Sequence, residues 1–201
     1  MIWYIVRHAE KDPGDFFNPR LRHQDQPISL KGRQDAQKLC AFFAEKQISA
    51  IYVSSYQRTR QTIEEVAGRL QLAPLVDARL NEIDNGCFEG LSDQELHQEY
   101  PDVWTAYRER KCDFRFPGGE TGAEAQQRII NFLAETLPQR GAENIILVSH
   151  DGLIRLLMCH ILNIPVFSRW NFRVDTCGIM EVTYQRDFKA WKLIRFNQTC
   201  L

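Results

Sequence analysis

The sequence predicts an α/β protein: a three-layer sandwich with a mostly parallel central sheet, an antiparallel C-terminal part and helices on both faces. Short apolar runs at 2–6, 50–54 and 144–149 alternate with helical patterns, which indicates right-handed βαβ units. The first run, IWYIV, is rich in β-branched and aromatic residues and is typical of a buried parallel strand. The segments at 178–187 and 190–197 predict a C-terminal antiparallel hairpin.

The first half of the chain supplies two strands and two helices. Residues 11–28 contain Pro, Gly, Asn and Asp without a steady period, which predicts a long loop of functional importance. Ser29 is the expected N-cap of the first helix. The second strand leads into a helix over 55–70, and residues 72–80 are expected to be a third strand or an extended segment.

A helical insertion is predicted at 91–116. It begins at Ser92 and is interrupted by Pro101. The next helix is expected to start at Thr121, with Glu124 in the capping-box position.

Composition limits the class of protein. The 201 residues are expected to form one domain over 1–201, and the 44% hydrophobic and 25% charged fractions are those of a globular protein. The net charge of -1 favours neither nucleic acid nor an anionic membrane as a partner. The six cysteines have no zinc-site spacing, and the N-terminal apolar run is too short for a signal peptide. We therefore expect a cytoplasmic protein without a metal.

Basic side chains follow three of the predicted strands. Arg7 and His8 come directly after the first strand, Arg58 begins the helix after the second, and His150 follows the strand at 144–149. Ligands of open α/β sheets bind beyond the carboxyl ends of the strands. Arginine pairs with phosphate oxygens through two hydrogen bonds, and a helix N-terminus favours anions. The three strand ends are therefore expected to form one anion site.

At this point the chain resembles the histidine phosphatase superfamily, also called the phosphoglycerate mutase-like family. The motifs that carry the resemblance run in the family's order over about 160 residues. They are RHAE (7–10), D-x-P-I-S-x-x-G-R-x-x-A (25–36), SSYQRTRQT (54–62), LNEIDNGCFEG (80–90), FPGGET (116–121) and VSHDGLIR (148–155).

The resemblance implies a role for each matching residue. His8 would be the nucleophile that takes the phosphoryl group, and Arg7, Arg58 and His150 would bind the phosphoryl oxygens. Glu82 would protonate the leaving alcohol and later activate water. No cofactor and no metal are implied.

Asp151 is an alternative proton donor. A more distant branch of the superfamily takes the proton from the aspartate of a His-Asp motif, which His150 and Asp151 reproduce here. The 80–90 segment resembles the mutase-like branch, in which glutamate acts, and so favours Glu82.

The sequence also departs from the family pattern. Gly14 stands where an asparagine usually follows the nucleophile by six residues, and Asn18 could replace it only if the loop is reshaped. Arg20 or Arg22 is expected to compensate as a substrate-binding residue. Thr121 is either a further substrate contact or only a helix cap.

The resemblance implies a metal-independent phosphomonoesterase acting on a small phosphorylated metabolite or a phosphoprotein. Cofactor-dependent phosphoglycerate mutase or bisphosphatase is the alternative, although the segment 107–121 is short and lacks the paired-arginine, tyrosine and proline-rich segment of such mutases. A phospholigand-binding module with little turnover is an alternative of another class. The substrate and the oligomeric state are not specified by the sequence.

Overall fold

A computed structural model of the chain describes residues 1–140 and 143–200. The elements, in chain order, are β1 (Trp3–Arg7), β2 (Phe17–Asn18), β3 (His23–Gln24), α1 (Leu30–Phe43), β4 (Ala50–Val53), α2 (Gln57–Leu70), β5 (Leu75–Val76), α3 (Asp93–Glu99), α4 (Pro101–Glu109), α5 (Gly122–Arg140), β6 (Ile145–Ser149), α6 (Asp151–Ile161), β7 (Ile179–Gln185) and β8 (Ala190–Gln198).

The central sheet has six strands in the order β5-β4-β6-β1-β7-β8. Strand β1 is parallel to β6, which in turn is parallel to β4, and β4 is parallel to β5. Strands β7 and β8 are antiparallel and extend the sheet on the other side of β1. The predicted mixed sheet with an antiparallel C-terminal part is confirmed.

Alternation along β1 divides the core into two layers. Trp3 and Ile5 pack with apolar residues of α5 and α6 on one face of the sheet. Tyr4 and Val6 pack with α1 and α2 on the other. Because successive side chains of a strand point to opposite faces, a central strand covered by helices on both sides must be apolar throughout. This requirement explains the continuous apolar run, and the predicted three-layer arrangement is confirmed.

The segment 11–28 is more ordered than the sequence indicated. Strands β2 and β3 form a short antiparallel ribbon, and Lys11 pairs with Ile28 in an isolated antiparallel bridge. Polar side chains support this hairpin: Gln24 Oε1 accepts from the Phe16 amide at 2.8 Å. Two-residue strands are too short to produce a visible period, which is why the pattern predicted a structureless loop. The segment 72–80 likewise contains only a two-residue strand, followed by a turn of 3₁₀ helix at Ala78–Leu80.

Helix ends follow the capping residues. The Ser29 side chain accepts from the Gly32 amide, and Ser92 and Glu95 form a reciprocal capping box at the start of α3. Pro101 is the first residue of α4, where its missing amide costs no hydrogen bond.

Tyr107 of α4 packs edge-on against Phe88, with ring centroids 5.6 Å apart.

Candidate active site

The carboxyl ends of β1 and β6 bring the two histidines together. Arg7 is the last residue of β1 and is paired in register with Ser149, the last residue of β6. The His8 amide donates to the Ser149 carbonyl at 2.9 Å. The rings of His8 and His150, each next along its chain, have centroids 5.1 Å apart. Parallel pairing of the two strands therefore positions both imidazoles at one edge of the sheet.

His8 has one ring nitrogen available for chemistry. Its Nδ1 lies 2.7 Å from the carbonyl oxygen of Ala9, which can only accept, so Nδ1 carries the proton. The lone pair is then on Nε2. Burial, with further contributions from Arg58 and Arg7, lowers the pKa of His8 to about 3. The imidazole is thus neutral and its tautomer is fixed, as a nucleophile requires.

Three buried nitrogens around His8 are unpaired. Arg7 Nε, Arg58 Nε and His150 Nδ1 are withdrawn from solvent, and none has a hydrogen-bond partner among the residues that the structure describes. An unpaired buried polar group costs about 1–3 kcal/mol. Two of these nitrogens belong to guanidinium groups that line one cavity with His8, and the third belongs to an imidazole whose ring centroid lies 5.1 Å from that of His8. Such nitrogens are suited to bind the oxygens of a phosphoryl group.

Neighbouring groups hold these side chains in place. Arg7 Nη1 donates to the Val174 carbonyl at 2.5 Å. Arg58, only 6% exposed, lies in the first turn of α2 with its guanidinium 4.2 Å from the centre of the Tyr56 ring. His150 Nε2 is 2.8 Å from Ser54 Oγ. His150 is fully buried.

The carboxyl group of Glu82 binds the first turn of α6. Its oxygens accept from the amides of Gly152 and Leu153 at 3.3 and 3.2 Å, and from its own neighbour Ile83 at 2.9 Å. Burial raises the pKa of Glu82, although the amides of Ile83 and Gly152 and the charge of Arg58 oppose the shift. A carboxyl group with a raised pKa is suited to donate a proton near neutral pH.

Asp151 has a different environment. Arg155 Nε and Nη2 donate to its two oxygens at 2.9 and 2.8 Å, and Arg7 Nη1 lies 3.9 Å away. The carboxylate is therefore held in a two-point ion pair with Arg155 and lies close to Arg7.

A cavity of about 480 Å³ opens in front of these groups. Arg7, His8, Arg58 and Glu82 line it. The other residues that line it are Glu10, Lys11, Gln24, Gln26, Asn85, Phe88, Glu89 and Thr176. None of them was predicted as a site residue, although Glu10 belongs to the RHAE motif and Asn85, Phe88 and Glu89 to the motif at 80–90. For Lys11, the available signal was a basic residue three positions after His8, whereas only the fold reveals the approach of Gln24, Gln26 and Thr176.

Three predicted substrate-binding residues lie elsewhere. The Thr121 hydroxyl accepts from the Glu124 amide at 3.0 Å and caps α5, outside the lining of the cavity. Arg20 is exposed in the turn between β2 and β3, and Arg22 lines an adjacent cavity of about 430 Å³. The ribbon formed by β2 and β3 carries both arginines away from His8, so the structure does not bring them to the phosphoryl site.

Asn18 does not replace the missing asparagine at position 14. Its side chain donates to Asp25 at 3.0 Å and accepts from the Arg20 amide at 3.0 Å. Gln26, whose Oε1 is buried without a partner in the described part of the chain, lines the cavity instead.

A family model named histidine phosphatase superfamily (branch 1) matches residues 3–199. The chain belongs to this family. The resemblance inferred from the sequence motifs is thereby confirmed, and this histidine phosphatase is an enzyme of the phosphatase class.

Relatives of this histidine phosphatase include both phosphatases and a mutase by name. Phosphoserine phosphatase 1 of Hydrogenobacter thermophilus is 27% identical over 199 residues, which cover 98% of this chain and 92% of the relative. A protein of Escherichia fergusonii named "Probable phosphoglycerate mutase GpmB" is 31% identical over 185 residues, which cover 90% of this chain and 84% of the relative.

Solved structures have the same fold. The alpha-ribazole phosphatase from Shigella flexneri superimposes with a TM-score of 0.81 at 24% identity, covering 98% of this chain and 96% of that one. Mycobacterial glucosyl-3-phosphoglycerate phosphatase, solved with inorganic phosphate, gives a TM-score of 0.79 at 22% identity, covering 99% and 98% of the two chains.

Within residues 1–140 and 143–200, no helix is both long and apolar enough to cross a bilayer. Nor does this part of the chain contain a group of three or more His, Cys, Asp or Glu side chains arranged to hold a metal ion.

Proposed function

We propose that this histidine phosphatase is a metal-independent phosphomonoesterase that forms a phosphohistidine intermediate on His8. The observation that carries the proposal is the hydrogen bonding of the His8 ring together with the unpaired nitrogens near it. The Nδ1 atom is bound to the Ala9 carbonyl, and the free Nε2 is accompanied by unpaired buried nitrogens of Arg7, Arg58 and His150.

In the first half-reaction, the lone pair of His8 Nε2 forms a bond to phosphorus while the bond from phosphorus to the alcohol oxygen breaks. The electron pair of the broken bond leaves with that oxygen, which takes the proton of Glu82. Arg7, Arg58 and His150 bind the equatorial oxygens, where negative charge must be stabilised in the transition state.

In the second half-reaction, a water oxygen attacks the phosphorus of phosphohistidine. Glu82, now a carboxylate, takes the proton of the water. The bond from phosphorus to nitrogen breaks, its electron pair returns to Nε2 and inorganic phosphate leaves. The enzyme regains neutral His8 and protonated Glu82, so the cycle closes without a further reactant.

Glu82 is proposed as the acid because its raised pKa suits it to hold the proton. Asp151 is engaged by Arg155 through both oxygens and is proposed to orient Arg7. The guanidinium groups of Arg7 and Arg58 supply the fixed positive charge that a metal provides in other phosphoryl-transfer enzymes.

The substrate is proposed to be a small phosphorylated metabolite. The cavity of about 480 Å³ has the size of a small-molecule site, and the relatives are named for small phosphate esters. We further propose one domain over 1–201, in which the insertion 91–116 supports the cavity wall. Phe88 lines the cavity and packs against Tyr107 and Phe116, at centroid distances of 5.6 and 5.1 Å.

Phosphoglycerate mutase activity is the second candidate, favoured by the name of the Escherichia fergusonii relative. A mutase transfers the phosphoryl group from His8 to a second alcohol instead of water. Interconversion of 3- and 2-phosphoglycerate, with and without 2,3-bisphosphoglycerate, separates the two activities.

The phosphatase proposal is tested by hydrolysis of an aryl phosphate in excess chelator. The pH is varied from about 5 to about 7.5, a range that spans the pKa of an unperturbed histidine. We expect wild-type turnover to be unaffected by chelator. Loss of turnover in chelator, with recovery on addition of a divalent metal, would contradict metal independence.

A further inference from the structure

Lys11 is a cation of the cavity for which the proposed mechanism has no role. It follows His8 by three residues, and its backbone is held by the antiparallel bridge to Ile28. Its side chain lines the same cavity as His8. Within the described residues, its ammonium group has no hydrogen bond and no ion pair, whereas Lys31 and Lys38 are both paired with carboxylates.

Lys11 lies at the open side of the cavity. Arg58 and His8 are 6% and 5% exposed, and His150 is fully buried, so the phosphoryl-binding groups form the floor. Lys11 and Glu89, by contrast, are exposed residues that line the same cavity. A phosphate ester bound with its phosphorus at the floor must direct its alcohol part towards this open side. Lys11 therefore faces the alcohol part of the substrate rather than the transferring group.

The surroundings of Lys11 favour an incoming anion. Partial burial of the ammonium group within the cavity and the nearby Arg58 lower the pKa of Lys11, because both disfavour its charged form. Glu89 and Glu82 contribute in the opposite direction, but each carboxyl group has partners of its own. Glu89 lies 3.1 Å from His23 Nδ1, and Glu82 accepts from the amides of α6. An anionic group of the substrate would supply the missing partner of Lys11.

We propose that Lys11 binds a carboxylate on the alcohol part of the substrate and so selects phosphate esters of hydroxy acids. This inference rests on the proposed function and adds the substrate class to it. Lys11 is a specificity-determining residue in this account, and it takes no part in the transfer of the phosphoryl group.

The test uses two matched pairs of esters that differ at the carboxylate. D-3-phosphoglycerate is compared with glycerol 3-phosphate, and O-phospho-L-serine with O-phosphoethanolamine. Dissociation constants are measured by calorimetry on the His8→Asn protein, in which the esters stay intact. We expect the carboxylate member of each pair to bind about tenfold or more tightly, the range of a charged hydrogen bond.

Adding Lys11→Met, which keeps the apolar stem, should abolish this preference by weakening only the carboxylate members. Lys38→Met, which removes a paired lysine of α1, is the matched control and should preserve the preference. In the otherwise wild-type protein, Lys11→Met should leave kcat/KM for an aryl phosphate without a carboxylate within about threefold.

Two results would overturn the inference. One is a His8→Asn protein that either binds the carboxylate member no more tightly than its partner ester in both pairs, or keeps the carboxylate preference after Lys11→Met is added. The other is a Lys11→Met protein that loses aryl phosphate turnover and the binding of all four esters by a similar factor, because Lys11 would then bind the phosphoryl group. A failure of the proposed function gives a different result. The wild type would then show no turnover in chelator, whereas the comparison of dissociation constants would still report on Lys11.

Discussion

The carboxyl oxygen Oε2 of Glu82 lies 3.3 Å from the backbone nitrogen of Gly152. This contact joins the proposed acid to the first turn of α6, the same turn whose N-cap is His150. The helix N-terminus therefore positions both the imidazole that we propose to bind phosphate and the proposed proton donor. The close approach depends on glycine, because a Cβ at position 152 would lie 2.8 Å from Glu82 Oε1.

Gly152→Ala is expected to displace the Glu82 carboxyl group, because the side-chain end can move more easily than the helix. We predict that kcat for an alkyl phosphate falls by about tenfold or more, since a positioned acid contributes roughly 10²–10⁴ in rate. The melting temperature should also fall, because the added Cβ would lie 2.8 Å from Cδ1 of the buried Ile83, but the variant should remain folded at the assay temperature. Gly68→Ala in α2, where a Cβ meets nothing within 4 Å, is the matched control and should keep full activity. An active Gly152→Ala enzyme would show that the acid is not held by this contact.

Glu82→Gln and Asp151→Asn separate the two candidate acids. We predict that Glu82→Gln lowers kcat for an alkyl phosphate by about 10²–10⁴ and Asp151→Asn by a smaller factor. In the wild type, kcat should fall as the pH rises through the raised pKa of Glu82, because the protonated acid is lost. This alkaline decline should be absent from the residual activity of Glu82→Gln. A larger loss of kcat in Asp151→Asn would reverse the assignment.

The low pKa of His8 links stability to pH. Its folded pKa, about 3, lies below the ordinary value of 6.5, so between these values only the unfolded chain binds the proton. The free energy of unfolding must therefore decrease as the pH falls through this window, by about 1.4 kcal/mol per pH unit for one proton.

His8→Asn removes this term, and the variant should lose stability less steeply than the wild type over the same pH window. Urea unfolding at a series of pH values measures the two slopes. His97→Asn, at an exposed position of α3, is the control for removing an imidazole. Equal slopes for wild type and His8→Asn would mean that His8 is protonated in the folded enzyme.

Thr121→Ala tests whether this residue is a cap or a substrate contact. The hydroxyl caps the Glu124 amide, and the Glu124 carboxylate accepts from the Thr121 amide at 2.9 Å. We predict a loss of about 1 kcal/mol in the free energy of unfolding, as for other N-caps, with kcat/KM nearly unchanged. A fall in kcat/KM at constant stability would instead support the substrate contact that the family resemblance implied.

The sequence predicted the parts of the site that follow directly from strands. His8 and His150 each end an apolar run, and parallel pairing then leaves little freedom in where their backbones lie. Arg58 was equally accessible to prediction because it begins the helix after β4. These positions follow from the local periodicity of the sequence and from the general rule that ligands bind at strand ends.

Positions set by irregular backbone could not be predicted in the same way. Whether Arg22 reaches the cavity depends on the short ribbon of β2 and β3, whose two-residue strands leave no periodic signal. The position of Lys11 likewise depends on its isolated bridge to Ile28. The role of Thr121 could not be predicted, because its hydroxyl group can bind either the substrate or the Glu124 amide, and the sequence favours neither. Asp151 and Arg155 are four residues apart on one helix face, so their ion pair is local. The approach of Arg7, from a different strand, becomes visible only in the folded chain.

The most direct test of the proposed mechanism is to trap the phosphoenzyme. The protein is mixed with an aryl phosphate labelled on phosphorus, quenched in alkaline denaturant within one turnover, digested and mapped. The account predicts an acid-labile, alkali-stable label on the peptide that contains His8, and no label in His8→Ala. Label on another residue, or turnover that persists in His8→Ala, would contradict the central claim that His8 carries the phosphoryl group.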